Sequence, residues 1–108
     1  MESMTVLCAA HCPSPLHTLC RMLEGAGYDV MPASSGREAI SLFASRPVHS
    51  VLVEYDLPDK KGFCVREEMK RINPDIPILL FSGAGSQTPI LLRFFNAYMR
   101  QTADETDS

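Results

Sequence analysis

Short apolar runs alternate with segments of helical periodicity, and this alternation limits the fold more than any other feature of the chain. Met4 to Ala10 is apolar apart from Thr5, as a strand covered on both faces has to be. Pro13-Ser14-Pro15 breaks it, with Ser14 suited to cap a helix that Pro15 opens. Leu16, Leu19, Cys20, Leu23 and Ala26 then recur at helical spacing and share one face. Gly25 and Gly27 offer a helix stop. Tyr28 to Ala33 reads as a second strand, and Pro32 puts it at a sheet edge.

The pattern repeats. Ser35 with Glu38 forms a capping box for a second helix, whose inner face is Ala39, Leu42 and Phe43; Pro47 ends that unit. Val48 to Val53, closed by Glu54, is the most strand-like segment. Leu57 to Gly62 carries strong turn chemistry. Val65, Met69 and Ile72 mark a third helix, ended by Asn73-Pro74-Asp75, and Ile76 to Phe81 is a further apolar strand. Ser82 to Ser86 forms a glycine-containing loop, and Pro89 opens a last helix through Met99.

Strands alternating with amphipathic helices predict an α/β fold with a parallel sheet and helices on both faces. With 108 residues there is material for one core. We expect one domain over residues 1–101 and a polar, acidic tail over 102–108. The formal net charge is −3 with no basic cluster, which argues against direct nucleic-acid binding. No apolar run approaches the roughly 20 residues that span a bilayer, and no signal peptide opens the chain; the expected location is cytoplasmic. Cys8, Cys12, Cys20 and Cys64 lack the paired spacing of a zinc site. They read as small core hydrophobes, with a metal or redox role as the lesser alternative.

In such sheets, sites form where the carboxyl ends of the strands open. The residues to inspect are therefore Ala10 to Cys12, Glu54 to Pro58 and Ser82 to Gly85. Several segments around them resemble bacterial response-regulator receiver domains of two-component signalling. Pro47 to Pro58 resembles the third strand and its loop, with Leu57-Pro58 following Glu54. Asn73-Pro74-Asp75-Ile76-Pro77, running on to Ser82-Gly83, resembles the fourth strand. Glu24 to Val30 and Ala33 to Ala39 resemble the approaches to the second strand and the second helix. The resemblance spans about residues 4 to 85. It implies a flavodoxin-like fold.

It also implies a set of catalytic parts, of which few are present. In the family, an aspartate accepts a phosphoryl group from a histidine kinase. Mg²⁺ bridges it to an acidic pair, a Thr or Ser hydroxyl meets the phosphoryl group, and a Lys neutralises it. Here the acidic pair falls on Ala10 and His11, and the phosphoacceptor position is Glu54. Ala offers Mg²⁺ nothing and imidazole suits it poorly. Ser82 matches the switch hydroxyl, while the Lys has no candidate, since no regular fifth βα unit follows. Glu54 reads either as a fixed charge imitating part of a phospho-aspartate or as drift in a disused site. His11 and Glu54 are expected to be neighbours, joined by a charge-assisted bond in place of the metal, or else His11 has no partner.

The last helix carries its own expectation. Ile90, Leu91, Phe94 and Tyr98 make one apolar stripe, and Leu92, Phe95 and Met99 an adjacent one. A helix apolar nearly all round is covered on more than one side. We expect it to form a homodimer interface, with Ile90, Leu91, Phe94, Phe95 and Tyr98 at its centre, or to pack where the missing fifth helix would lie. The functional expectation is a stand-alone pseudo-receiver that acts by protein contact, independently of phosphorylation, without enzymatic activity or cofactor. Its partner would be a histidine kinase or a downstream regulator. The alternative is a phosphorelay receiver that uses Asp56 or Glu54 as acceptor and therefore needs Mg²⁺.

Overall fold

Seven elements follow one another along the chain: β1 (Thr5–Ala9), α1 (Pro13–Gly25), β2 (Asp29–Ala33), α2 (Gly36–Ser45), β3 (Ser50–Glu54), α3 (Gly62–Ile72) and β4 (Ile78–Phe81). They come from a computed structural model that describes residues 4–11 and 13–81, with the backbone alone for 13–16. Cys12, Ser82, the helix expected over Pro89 to Met99 with its expected interface, the expected tail, the boundary at 101 and the question of a fifth βα unit all lie outside the described residues.

The four strands form one parallel sheet in the order β2-β1-β3-β4. This is the flavodoxin-like arrangement. The chain leaves β1 toward β2 and later returns to β3 on β1's other side. In such folds ligands bind in the crevice at the switch point, which here falls between the carboxyl ends of β1 and β3.

Two clusters cover the sheet, sorted by the alternation of side chains along each strand. Leu7, Ala9, Val51, Val53 and Ile78 pack against Ala39 and Phe43 of α2 and Val65 and Met69 of α3. Val6, Cys8, Ala10, Leu52 and Phe81 pack against Leu19 and Leu23 of α1. Leu7, Leu19, Leu23 and Leu52 are wholly buried, each contributing about 1.5–3 kcal/mol. These contacts outweigh a surface ion pair such as Lys60–Glu68 at 2.8 Å, which contributes about 0–1 kcal/mol. Among the described residues no helix is long and apolar enough to cross a membrane.

The ends of the elements show what the apolar pattern could not specify. α1 begins at Pro13, not Pro15, so Ser14 lies inside the helix rather than capping it. Pro13 serves the first turn as well as Pro15 would, because neither position needs an N–H. At its other end the Gly27 N–H donates to Glu24 O at 3.0 Å and the Tyr28 N–H to Leu23 O at 3.1 Å. With Gly27 at φ 101°, this is a Schellman stop, and Tyr28 packs on the cluster containing Leu23. Ile72 belongs to α3 but is 48% exposed. It sits in the last turn and lines an open surface groove with Phe43, Val48 and Ile76.

Two further ends match their sequence signals. β2 is an edge strand, as Pro32 implied. At α2 the Ser35 hydroxyl accepts from the Glu38 N–H at 3.1 Å, while the Glu38 carboxylate accepts from the Ser34 N–H at 2.7 Å. The box thus closes one residue earlier on its return bond.

Candidate functional site

At the carboxyl end of the sheet, Ala9 and Val53 are register partners, so Ala10 and Glu54 follow side by side. Ala10 is completely buried in the α1-facing cluster. Its N–H points toward β2 and donates to Ala33 O at 3.0 Å. Successive amides of an extended chain point to opposite sides. The next N–H, that of His11, therefore faces β3, where it donates to Glu54 Oε1 at 2.6 Å.

The expected proximity of His11 and Glu54 is thus observed, with one correction. The contact uses the His11 main chain, not the imidazole, because strand geometry delivers the amide to that place. A carboxylate accepting a backbone N–H makes a charge-assisted bond.

The loop from Glu54 to Gly62 folds back on itself. The Gly62 N–H donates to Tyr55 O at 2.6 Å. A β-carbon on Gly62 would stand 2.6 Å from Glu54 O and 2.9 Å from Tyr55 Cα, so only glycine lets α3 start this close to the end of β3. Asp56 and Lys61 pair across the loop in an isolated bridge. Their side chains meet at 2.7 Å, with 69% and 59% exposure respectively. That bond raises the Lys61 ammonium above its ordinary value. Lys61 also stands 5.9 Å from the centre of the Tyr55 ring, which lies 6.1 Å from that of Phe63. The alternative acceptor Asp56 is therefore a solvated carboxylate already engaged by a cation.

Asp59 reaches furthest. Its two oxygens accept from the Gly36 N–H at 2.8 Å and the Arg37 N–H at 3.0 Å. This places a carboxylate on the amino end of α2, a stabilising position for negative charge. The Gly36 bond first, and the Arg37 bond with it, hold the Asp59 carboxyl below the usual carboxylate range despite an opposing desolvation effect. Gly36 allows this junction: a β-carbon there would meet Val65 Cγ2 at 2.9 Å.

These cross-loop roles of Asp59, Gly62 and Gly36 were not read from the sequence. The sequence marks Asp59 and Gly62 only as turn residues. The bonds of Asp59 join positions 22 and 23 residues apart, and neither composition nor periodicity carries a signal at that separation.

The family match decides the class, since the response regulator receiver domain matches residues 6–102. The chain belongs to that family. Among curated relatives, response regulator RR06 of Streptococcus pneumoniae serotype 2 is 33% identical over 66 residues, which is 61% of this chain and 30% of the relative. Transcriptional regulatory protein ZraR of Escherichia coli O157:H7 is 34% identical over 65 residues, 60% of this chain and 15% of ZraR. The aligned part thus makes up less than a third of either relative. Among solved structures, a CheY-like response regulator receiver domain protein from Methanospirillum hungatei JF-1 superposes with a TM-score of 0.86 at 18% identity, covering 96% of this chain and 99% of that one. Response regulator TrrA of Thermotoga maritima, in complex with Mg²⁺ and BeF, gives 0.72 at 24% identity over 78% of this chain and 73% of that one.

The receiver family implies a Mg²⁺ ion at this crevice, and the residues present do not fit one. Ala10 contributes an apolar, fully buried side chain. His11 offers imidazole where Mg²⁺ takes oxygen. Glu54 remains as the one carboxylate of the three positions, and it accepts a main-chain N–H. Among the described residues no group of three or more His, Cys, Asp and Glu side chains could hold a metal ion.

Proposed function

We propose that this receiver domain signals by protein contact, in a state set without phosphorylation and without a metal. The observation that carries this reading is the 2.6 Å bond from the His11 N–H to the Glu54 carboxylate. Glu54 spans the crevice that a phosphoryl group and its ion would need. Phosphoryl transfer relies on positioning and charge neutralisation, and Ala10 and His11 give neither to an incoming phosphate.

Receiver domains work with histidine kinases and effectors, and the partner proposed here belongs to one of those two groups. The domain itself is proposed to have no enzymatic activity and to act in the cytoplasm. Association of two copies through Ile90, Leu91, Phe94, Phe95 and Tyr98 is part of the same proposal. Light scattering at high concentration checks it, and a clean monomer counts against it.

The deciding experiment is incubation with acetyl phosphate and Mg²⁺ followed by intact-mass measurement. The expected result is an unchanged mass. A phosphoryl adduct on Glu54 or on Asp56 would favour the phosphoaccepting reading, and peptide mapping would say which carboxylate took it.

A further inference from the structure

The groove that Ile72 lines opens between the carboxyl ends of α2 and α3 and the amino ends of β3 and β4. That is the opposite end of the sheet from Glu54, so the groove is independent of how Glu54 is read. It measures about 310 Å³, and small-molecule sites begin at about 300 Å³. Its apolar lining is Phe43 and Val48, both buried, Ile76, half-buried, and Ile72, exposed. Its polar side chains are those of Arg46, His49 and Asn73. We propose that this groove binds a small organic carboxylate with an apolar body, the carboxylate on the Arg46 side and the body over Ile72 and Phe43.

The polar side chains are set to donate. Arg46 can only donate, and among the described residues its guanidinium has no hydrogen-bond or ion-pair partner. The His49 Nδ1 accepts the Thr5 N–H at 2.8 Å. A neutral imidazole so engaged carries its proton on Nε2, which is left as a donor. The Asn73 Oδ1 accepts the Asp75 N–H at 3.1 Å, which leaves the side-chain NH₂ to donate. No acidic side chain lines the groove, and Asp75 stands in the adjoining turn outside the lining. A planar guanidinium fork with further donors beside it matches a carboxylate edge. A cation would meet repulsion there, and a neutral amide would leave the guanidinium charge unmatched.

The walls are already fixed, so binding orders little. Lys70 Nζ donates to Pro74 O at 3.2 Å and to Ile76 O at 2.8 Å, which fastens the turn between Asn73 and Ile76. On the other side the His49 N–H donates to Thr5 O at 2.9 Å. With the Nδ1 bond, this clamps His49 to both main-chain groups of Thr5.

The test titrates the full chain with naphthylacetate and with its neutral amide, naphthylacetamide, while amide chemical shifts are followed by NMR. The expected result is saturable shifts for naphthylacetate, confined to residues between Phe43 and His49 and between Ile72 and Ile76. The amide should bind about tenfold more weakly, as should naphthylacetate to the Arg46→Gln chain. Arg46 is exposed and unpartnered among the described residues, so this variant should keep the parent's shifts elsewhere. The comparison of acid with amide on the parent chain decides even where the variant does not fold. The proposal is overturned if acid and amide bind equally, if Arg46→Gln leaves the affinity unchanged, or if the shifts scatter without saturating. It is also overturned if the same amides shift on dilution of the protein alone, which would assign the groove to a second copy of the chain.

Discussion

The turns that follow β1 and β3 stand side by side at one end of the sheet and differ in character. After β1, the chain buries an apolar side chain: Ala10 is sealed in the core, and His11 reaches Glu54 through its main chain. After β3, it is polar and densely bonded, with Asp56 on Lys61, Asp59 on two α2 amides and Gly62 against the Tyr55 carbonyl. The first turn supplies metal ligands in the family, and the second supplies shape as well as the acceptor. The difference teaches that the loop after β3 is held by bonds among its own residues and to α2, none of which involves a metal ion.

The largest test of that contrast is Ala10→Asp. It places a carboxylate in a fully buried apolar cluster, where an unpaired charge costs about 3 kcal/mol or more. The urea midpoint at neutral pH should fall accordingly. Burial raises the folded carboxyl above its unfolded value, so the loss should shrink as pH falls through the acid range and the group protonates. A midpoint unchanged at neutral pH would mean that this turn can still accommodate a ligand. Next in size is Gly62→Ala. The added carbon would sit 2.6 Å from a main-chain oxygen, where neither atom can swing aside, and such overpacking costs about 1–3 kcal/mol. Tolerance of alanine would show that the second turn is looser than its geometry implies.

The sheet was legible in the sequence because burial on both faces leaves an unbroken apolar run, as in Val6 to Ala10 and Val51 to Val53. Helix faces were legible in Leu19 and Leu23, and in Val65 and Met69, because the sheet covers one side only. Ile72 belongs to α3 as its spacing implies, but periodicity does not say how deeply a residue in the last turn is covered. At the site, the positions of Ala10, His11 and Glu54 were legible through the resemblance. The atom by which His11 meets Glu54 was not, since it depends on which way each amide of β1 points.

Asp59→Ala is the intermediate case. It removes a side-chain acceptor from two amides at the start of α2, and losing such a cap costs about 1 kcal/mol. The pH dependence has a definite sign. The folded carboxyl lies below its ordinary value, so its contribution is complete above the unfolded value and disappears as pH falls through the folded one. Parent and variant should therefore differ in urea midpoint at neutral pH and converge in acid. A constant difference across that range would assign the effect to packing rather than to the charge.

The smallest effect should come from Lys61→Met. The Asp56–Lys61 bond is short at 2.7 Å, yet both side chains are mostly in water, where ion pairs are screened and lose as much in ordering as they gain. The unfolding midpoint should stay within the error of a urea titration at physiological salt. Because the Lys61 value is raised by Asp56, any coupling is present below the ordinary lysine range and is lost as pH rises through the folded value. A double-mutant cycle with Asp56→Asn, run at low and high salt, isolates that coupling. A large, salt-insensitive coupling would mean that charge pairing holds the β3–α3 turn. A negligible one leaves the turn to the Gly62 close approach and the Asp59 cap, both of which act on backbone and neither of which needs a metal ion.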